Sequence, residues 1–105
     1  MERPKLPQDL LSVIALLERP EQLQALLDDL LSPSETKSVG ERWELVKLLA
    51  AGHSQRAVRD QVGVSITTVS RGASQYRYGA GGFDIAFDAL AASGGADPRA
   101  VQEES

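Results

Sequence analysis

Apolar residues recur along most of the chain at the three-to-four spacing of helical faces, and the residues between them carry start and stop signals. Leu10, Leu11, Val13, Ile14, Leu16 and Leu17 predict a helix over 9–17, apolar over a width that implies burial on more than one side. It stops before Pro20. That proline opens a second helix, since its ring fits the first turn, and Leu23, Leu26, Leu27, Leu30 and Leu31 mark its apolar face. Ser32-Pro33-Ser34-Glu35 begins a third: Ser32 caps, Pro33 takes the first position, and Glu35 stands where a capping box needs an acid. This helix is predicted to reach Ala51, with Gly52 as the left-handed residue that ends it.

Ser54 caps a fourth, short helix through Val62, Gly63 makes a tight corner, and Ser65 caps a fifth helix running to about Gln75. Its stretch VGVSITTVSRGASQY is rich in β-branched residues, and Val64, Ile66 and Thr68 share the parity of a strand. The alternation fails at Val69, whereas Ile66, Val69 and Ala73 fall at i, i+3 and i+7 of a helix. After a break at 79–82, Phe83, Ile85, Ala86, Phe87 and Leu90 form a sixth helix. Beyond Ser93 the chain turns Gly-, Asp- and Glu-rich, the composition of a disordered tail. The expectation is an all-α protein of about six helices, one helical domain over 1–92 and a disordered tail over 93–105, with neither strands nor repeats.

A chain of 105 residues supports one small domain and leaves little margin for a large monomeric core, a shortage that oligomerisation relieves. The absence of cysteine excludes disulfides and thiolate metal sites and suits a reducing compartment. No apolar run approaches the roughly 18 residues of a membrane span, and residues 1–7 lack a basic-then-apolar signal start, so the expected location is the cytoplasm. The net charge of −4 is unevenly spread. Residues 1–40 hold four basic and seven acidic side chains, net −3; residues 41–78 hold six and three, net +3; residues 79–105 hold one and five, net −4. Over 55–78, Arg56, Arg59, Arg71 and Arg77 face Asp60 alone, either the footprint of a polyanion or a solvated basic face.

Two short helices joined by a three-residue corner are the geometry of a helix-turn-helix, here about 54–75. Counting Gln55 as position one, Gly63 falls at nine and Val58, Val62, Val64 and Val69 at four, eight, ten and fifteen, the positions that pack the two helices together. Position five, which usually holds a small residue, is Arg59. With the valines turned inward, Ser65, Thr67, Thr68 and Ser70 remain, with Ile66 on the flank. Small hydroxyl and methyl groups permit close approach to base edges, a use that offsets a loss of helix propensity of a few tenths of a kcal/mol per residue. Gln55, Arg56 and Arg59 flank this face as candidate phosphate or guanine contacts. The competing reading is an ordinary pair of surface helices.

Arg71-Gly72 needs a further reason, because glycine inside a helix costs about 1 kcal/mol relative to alanine. A close approach by a ligand or another backbone would supply it. From about Leu30 to Gln75, LSPSE, GERWELVKLL and SQRAVRDQVGVSITTVSRG occur in an order and spacing that resemble the tryptophan repressor family. The resemblance implies an intertwined homodimer that binds operator DNA and takes L-tryptophan as corepressor, with no other cofactor. It places the guanidiniums of Arg42 and Arg71 on the two faces of the indole, with Gly72 leaving room for the ring, and a planar cation suits that stacking. It puts Ser32 and the backbone at Leu30 and Leu31 at the ligand's ammonium group, where a helix C-terminus carries partial negative charge. Gln75 replaces the family's second serine after Arg-Gly, where a larger amide either bonds the ligand or obstructs it, and the link GHSQR is one residue short; these departures motivate the alternative, a related regulator with a different ligand or none.

Other residues read more plainly. Trp43 is expected in the core or a dimer interface, and Tyr76 and Tyr78 against the last helix. His53, the one histidine, has no histidine or cysteine to share a metal with. No nucleophile, base and orienting group stand together in a motif, so an enzyme is not expected.

Overall fold

From Ser32 onward, serine and glycine punctuation sets the helix ends. The computed structural model describes residues 3–103. It has six α-helices, α1 Gln8–Leu16, α2 Pro20–Leu30, α3 Pro33–Ala50, α4 Gln55–Val62, α5 Ile66–Tyr78 and α6 Gly82–Ala92, then a 3-10 turn, Pro98–Glu103. No strand occurs among the described residues. At the start of α3, the Glu35 N–H donates to Ser32 Oγ at 3.1 Å and the Ser32 N–H donates to Glu35 Oε1 at 2.8 Å, a reciprocal capping box. Hydrogen bonding from Ser32, its backbone N–H first and then its hydroxyl, holds the Glu35 carboxyl below its ordinary range. Ser54 Oγ accepts from the Ala57 N–H and Ser65 Oγ from the Thr68 N–H, both at 3.1 Å. Gly52 and Gly63 take positive φ, 99° and 81°, where a side chain would be strained.

The chain divides into two compact units, one ending at Lys37 and the other beginning at Ser38, within α3. In the first unit no residue of α1 or α2 is buried. Leu11 is 44% exposed, Leu30 50% and Leu16 75%. The burial on several sides expected of the first helix is therefore not made within one chain.

The second unit has a core. Leu45, Val46 and Ala50 of α3 meet Val58 of α4, Val69 of α5 and Phe87 of α6, all at most 2% exposed. Each full burial of a large apolar side chain contributes roughly 1.5–3 kcal/mol. Trp43, half-buried, extends this core into an aromatic cluster, stacked 6.2 Å from Phe83 and tilted 5.6 Å from Phe87. Tyr76 meets the same two rings edge-on, at 6.1 Å each. Tyr78 departs from its expected packing, being 76% exposed, with the Arg77 guanidinium 5.9 Å from its ring centroid.

Two boundaries differ from the sequence reading. Helix α5 continues past Gln75 to Tyr78, because Tyr76 is held by the aromatic cluster and no breaker precedes Gly79. Composition predicts a disordered tail from residue 93, yet Asp97, Pro98 and Arg99 are half-buried, and Arg99 lies over the Phe87 ring. The expectation for residues 104–105 lies outside the described residues.

Candidate nucleic-acid interface

The α4–α5 pair is assembled by the valines at the predicted positions. Val58 and Val69 are fully buried, Val62 and Val64 half-buried, and Gly63 turns the corner. Arg59 does not wedge the helices apart. Its side chain, 41% exposed, lies along its own helix and donates from Nε to Asp60 Oδ1 at 3.0 Å.

Opposite the valines, Ser65, Ile66, Thr67, Thr68, Ser70 and Arg71 are all exposed. Several of their polar groups are already engaged. Ser65 Oγ, the cap of α5, lies 2.9 Å from Thr68 Oγ1, and Ser70 Oγ donates to Gln55 Oε1 at 3.0 Å, tying the two helices together. Ile66, 40% exposed, Thr67 and Arg71 are left as unengaged side chains on this face. Arg56, at the start of α4, is exposed and has no hydrogen-bond or ion-pair partner among the described residues. This face thus presents an apolar methyl-bearing tip, one hydroxyl–hydroxyl pair, one hydroxyl–amide pair and the open guanidinium of Arg56 beside them.

Gly72 is buried against α3. A Cβ built there would collide with Leu45 Cδ1, with Leu45 Cγ at 3.3 Å. The missing side chain is thus required by a core leucine, a reason not foreseen from the sequence, which looked to a ligand or a backbone. This contact brings together the α3 turn carrying Arg42, three residues before Leu45, and the α5 turn carrying Arg71. Both arginines are exposed and have no ion-pair or hydrogen-bond partner among the described residues; Glu44, a potential partner of Arg42, binds Lys47 at 3.0 Å. Gln75 is half-buried, its amide also without a partner among the described residues. In the first unit, Leu31 caps α2 in extended conformation, its N–H donating to the Leu27 carbonyl at 2.8 Å; Leu30 is exposed, and the Ser32 hydroxyl is engaged by the capping box.

An open cleft of about 570 Å³ lies elsewhere in the second unit, between the α3–α4 corner and the α5–α6 junction. Leu49, His53, Gln55, Tyr76, Arg77 and Asp84 line it, and none of the residues assigned to tryptophan does. Two cations stacking on the faces of one ring need no enclosed cavity.

Sequence reasoning missed the contacts of Arg99, which binds Asp84, Asp88 and Asp97. The available signal was one arginine among five acids in the last 27 residues.

Valine-packed helices, a glycine corner and an exposed hydroxyl-rich second helix define a helix-turn-helix protein. The family model for the Trp repressor protein matches residues 6–91, and the chain belongs to that family of helical, DNA-binding transcriptional regulators. No curated protein and no solved structure matches it significantly. No helix of the described residues is long and apolar enough to cross a membrane.

Proposed function

We propose that this chain is a transcriptional repressor that binds operator DNA as a homodimer and uses L-tryptophan as its corepressor, controlling genes of tryptophan metabolism. The observation that carries the ligand assignment is the pair of partnerless guanidiniums, Arg42 and Arg71, on turns joined by the Leu45–Gly72 contact. Arg42 and Arg71 would take the two ring faces and Gln75 the polar edge. The family resemblance assigns the ligand's ammonium group to the carbonyl end of the second helix at Leu30 and Leu31, with Ser32. The homodimer draws support from the leucines that α1 and α2 leave exposed.

Two half-sites about 34 Å apart must be met at once, a spacing general to helix-turn-helix dimers, the tryptophan repressor included. A ligand held between α3 and the recognition helix α5 biases the tilt of α5 and raises the population that fits the DNA, by the difference in its affinity for the two forms. Calorimetry with L-tryptophan on wild type beside Arg71→Ala tests this. The reading requires heat and a raised melting temperature for wild type alone; no response at millimolar ligand ends it.

A second reading, a regulator with another ligand or none, is favoured by Gln75, whose amide is bulkier than the family's serine at that position. Equal DNA binding in a gel shift with and without tryptophan would select it.

A further inference from the structure

One guanidinium fastens the 3-10 turn to α6. Arg99 Nη2 donates to Asp88 Oδ1 at 2.6 Å and to Asp97 Oδ2 at 2.8 Å, and Nε donates to the two Asp97 oxygens at 2.9 and 3.2 Å. Nη1 reaches Asp84 Oδ1 at 3.4 Å. The cation sits 5.7 Å from the centroid of the wholly buried Phe87 ring, and its side chain is 28% exposed. Asp84 is shared, because the same Oδ1 accepts from the Tyr76 hydroxyl at 3.2 Å. Tyr76 stands in the last turn of α5, so a continuous chain of contacts runs from Arg99 through Asp84 to the end of the recognition helix.

We propose that Arg99 is a positioning residue for the recognition helix: it neutralises and orients Asp84, which holds the Tyr76 hydroxyl and with it the turn carrying Gln75, Arg77 and Tyr78. Without the guanidinium, Asp84, Asp88 and Asp97 would be three neighbouring carboxylates with no cation between them. Their repulsion turns Asp84 toward water, and Tyr76 loses its acceptor. Helix ends are where unsatisfied carbonyls make fraying easiest, and α5 closes on a single backbone bond, from the Gly79 N–H to the Gln75 carbonyl at 2.9 Å. A brace from outside the helix therefore acts where it is needed. The consequence for DNA rests on the proposed operator binding; the coupling itself does not.

Amide hydrogen exchange on the full chain tests the coupling, with wild type, Arg99→Ala, Arg99→Lys, Tyr76→Phe and Arg99→Ala/Tyr76→Phe. Tyr76→Phe keeps the ring in the aromatic cluster and removes only the hydroxyl. Arg99→Ala is expected to speed exchange at residues 75–79 roughly tenfold, the effect of losing one charge-assisted hydrogen bond, while Leu45 to Ala50 stay unchanged. Tyr76→Phe should give the same local rise and the double variant no more than either; Arg99→Lys, a cation without the fork, falls between. Three results overturn the proposal: no change at 75–79 in Arg99→Ala, additive effects in the double variant, or a parallel rise in the α3 core. Operator binding of Arg99→Ala should fall severalfold and match Tyr76→Phe; a wild type without operator affinity would refute the proposed function while the exchange pattern still decides the role of Arg99.

Discussion

The Leu45 side chain fills the space that a side chain at position 72 would require. Leu45 is 1% exposed, so it cannot swing aside without disturbing the core. Gly72→Ala gains about 1 kcal/mol of helix propensity but meets an overpacking cost of roughly 1–3 kcal/mol, and a net destabilisation is expected. Gly40, also inside a helix, has no neighbour within 4 Å of a built Cβ, so Gly40→Ala should stabilise by about 1 kcal/mol. Urea midpoints at constant slope measure both. Equal gains at the two positions would dismiss the Leu45 contact, and a loss at Gly40 would place it against a second copy.

Ser65 and Thr67 are neighbours with separable tasks. Ser65→Ala removes the α5 cap and should cost roughly 0.5–2 kcal/mol of stability. Thr67→Ala touches no internal bond and should leave the melting temperature unchanged or slightly raised by the helix propensity of alanine, while altering the preferred base at one operator position. Thermal melts paired with binding to a randomised operator library distinguish them. A specificity unchanged by Thr67→Ala would remove it from the reading face.

The parts legible in the sequence were those governed by local rules. The Ser32–Glu35 box, the Ser54 and Ser65 caps and the glycine corner depend on residues three or four apart, and the four valines follow a short, fixed spacing. What escaped depends on distant pairs. Nothing near Gly72 names Leu45, 27 positions earlier, as its neighbour. A Gly-rich tail reads as disordered unless Arg99 is known to lie among Asp84, Asp88 and Asp97. The hydroxyl face was legible as a face, but not that Ser70 is spent on Gln55, since that bond joins two helices.

Arg56 and Arg59 should differ in their electrostatic effect. Arg56 has no partner among the described residues, whereas Arg59 already binds Asp60. Arg56→Ala should lower the slope of log affinity against log salt by about one per copy; Arg59→Ala should lower it less. Filter binding over a salt series tests this. Equal slope changes would mean that the Arg59–Asp60 pair opens on DNA.

The proposed homodimer gives α1 its purpose. Leu16 is 75% exposed in one chain, and Leu16→Glu should disrupt a dimer by placing a charge in an apolar interface while leaving the second unit's core intact. Light scattering should report twice the chain mass for wild type and a concentration-dependent shift toward monomer for the variant. A monomeric wild type at micromolar concentration would leave these leucines without that explanation.

Tail docking should be bounded by pH on both sides, with opposite signs. The Asp97 carboxyl is held below its ordinary range, first by its side-chain bond to Arg99. Its contribution is therefore fully present above the unfolded carboxylate value of about 3.9 and is lost as pH falls through the lowered folded value. Tyr76 is shifted the other way: burial first, then its hydrogen bond to Asp84, raise its phenol above the ordinary value. The protonated form is the one that donates to Asp84, so this contribution is fully present below about 10 and lost as pH rises through the raised folded value. Protease protection of the tail should accordingly persist below pH 4 before failing. The tyrosinate absorbance titration should contain a step above the ordinary phenol range that Tyr76→Phe abolishes. A tail released near pH 5, or an upper step that survives Tyr76→Phe, would mean that neither group holds the segment as these contacts require.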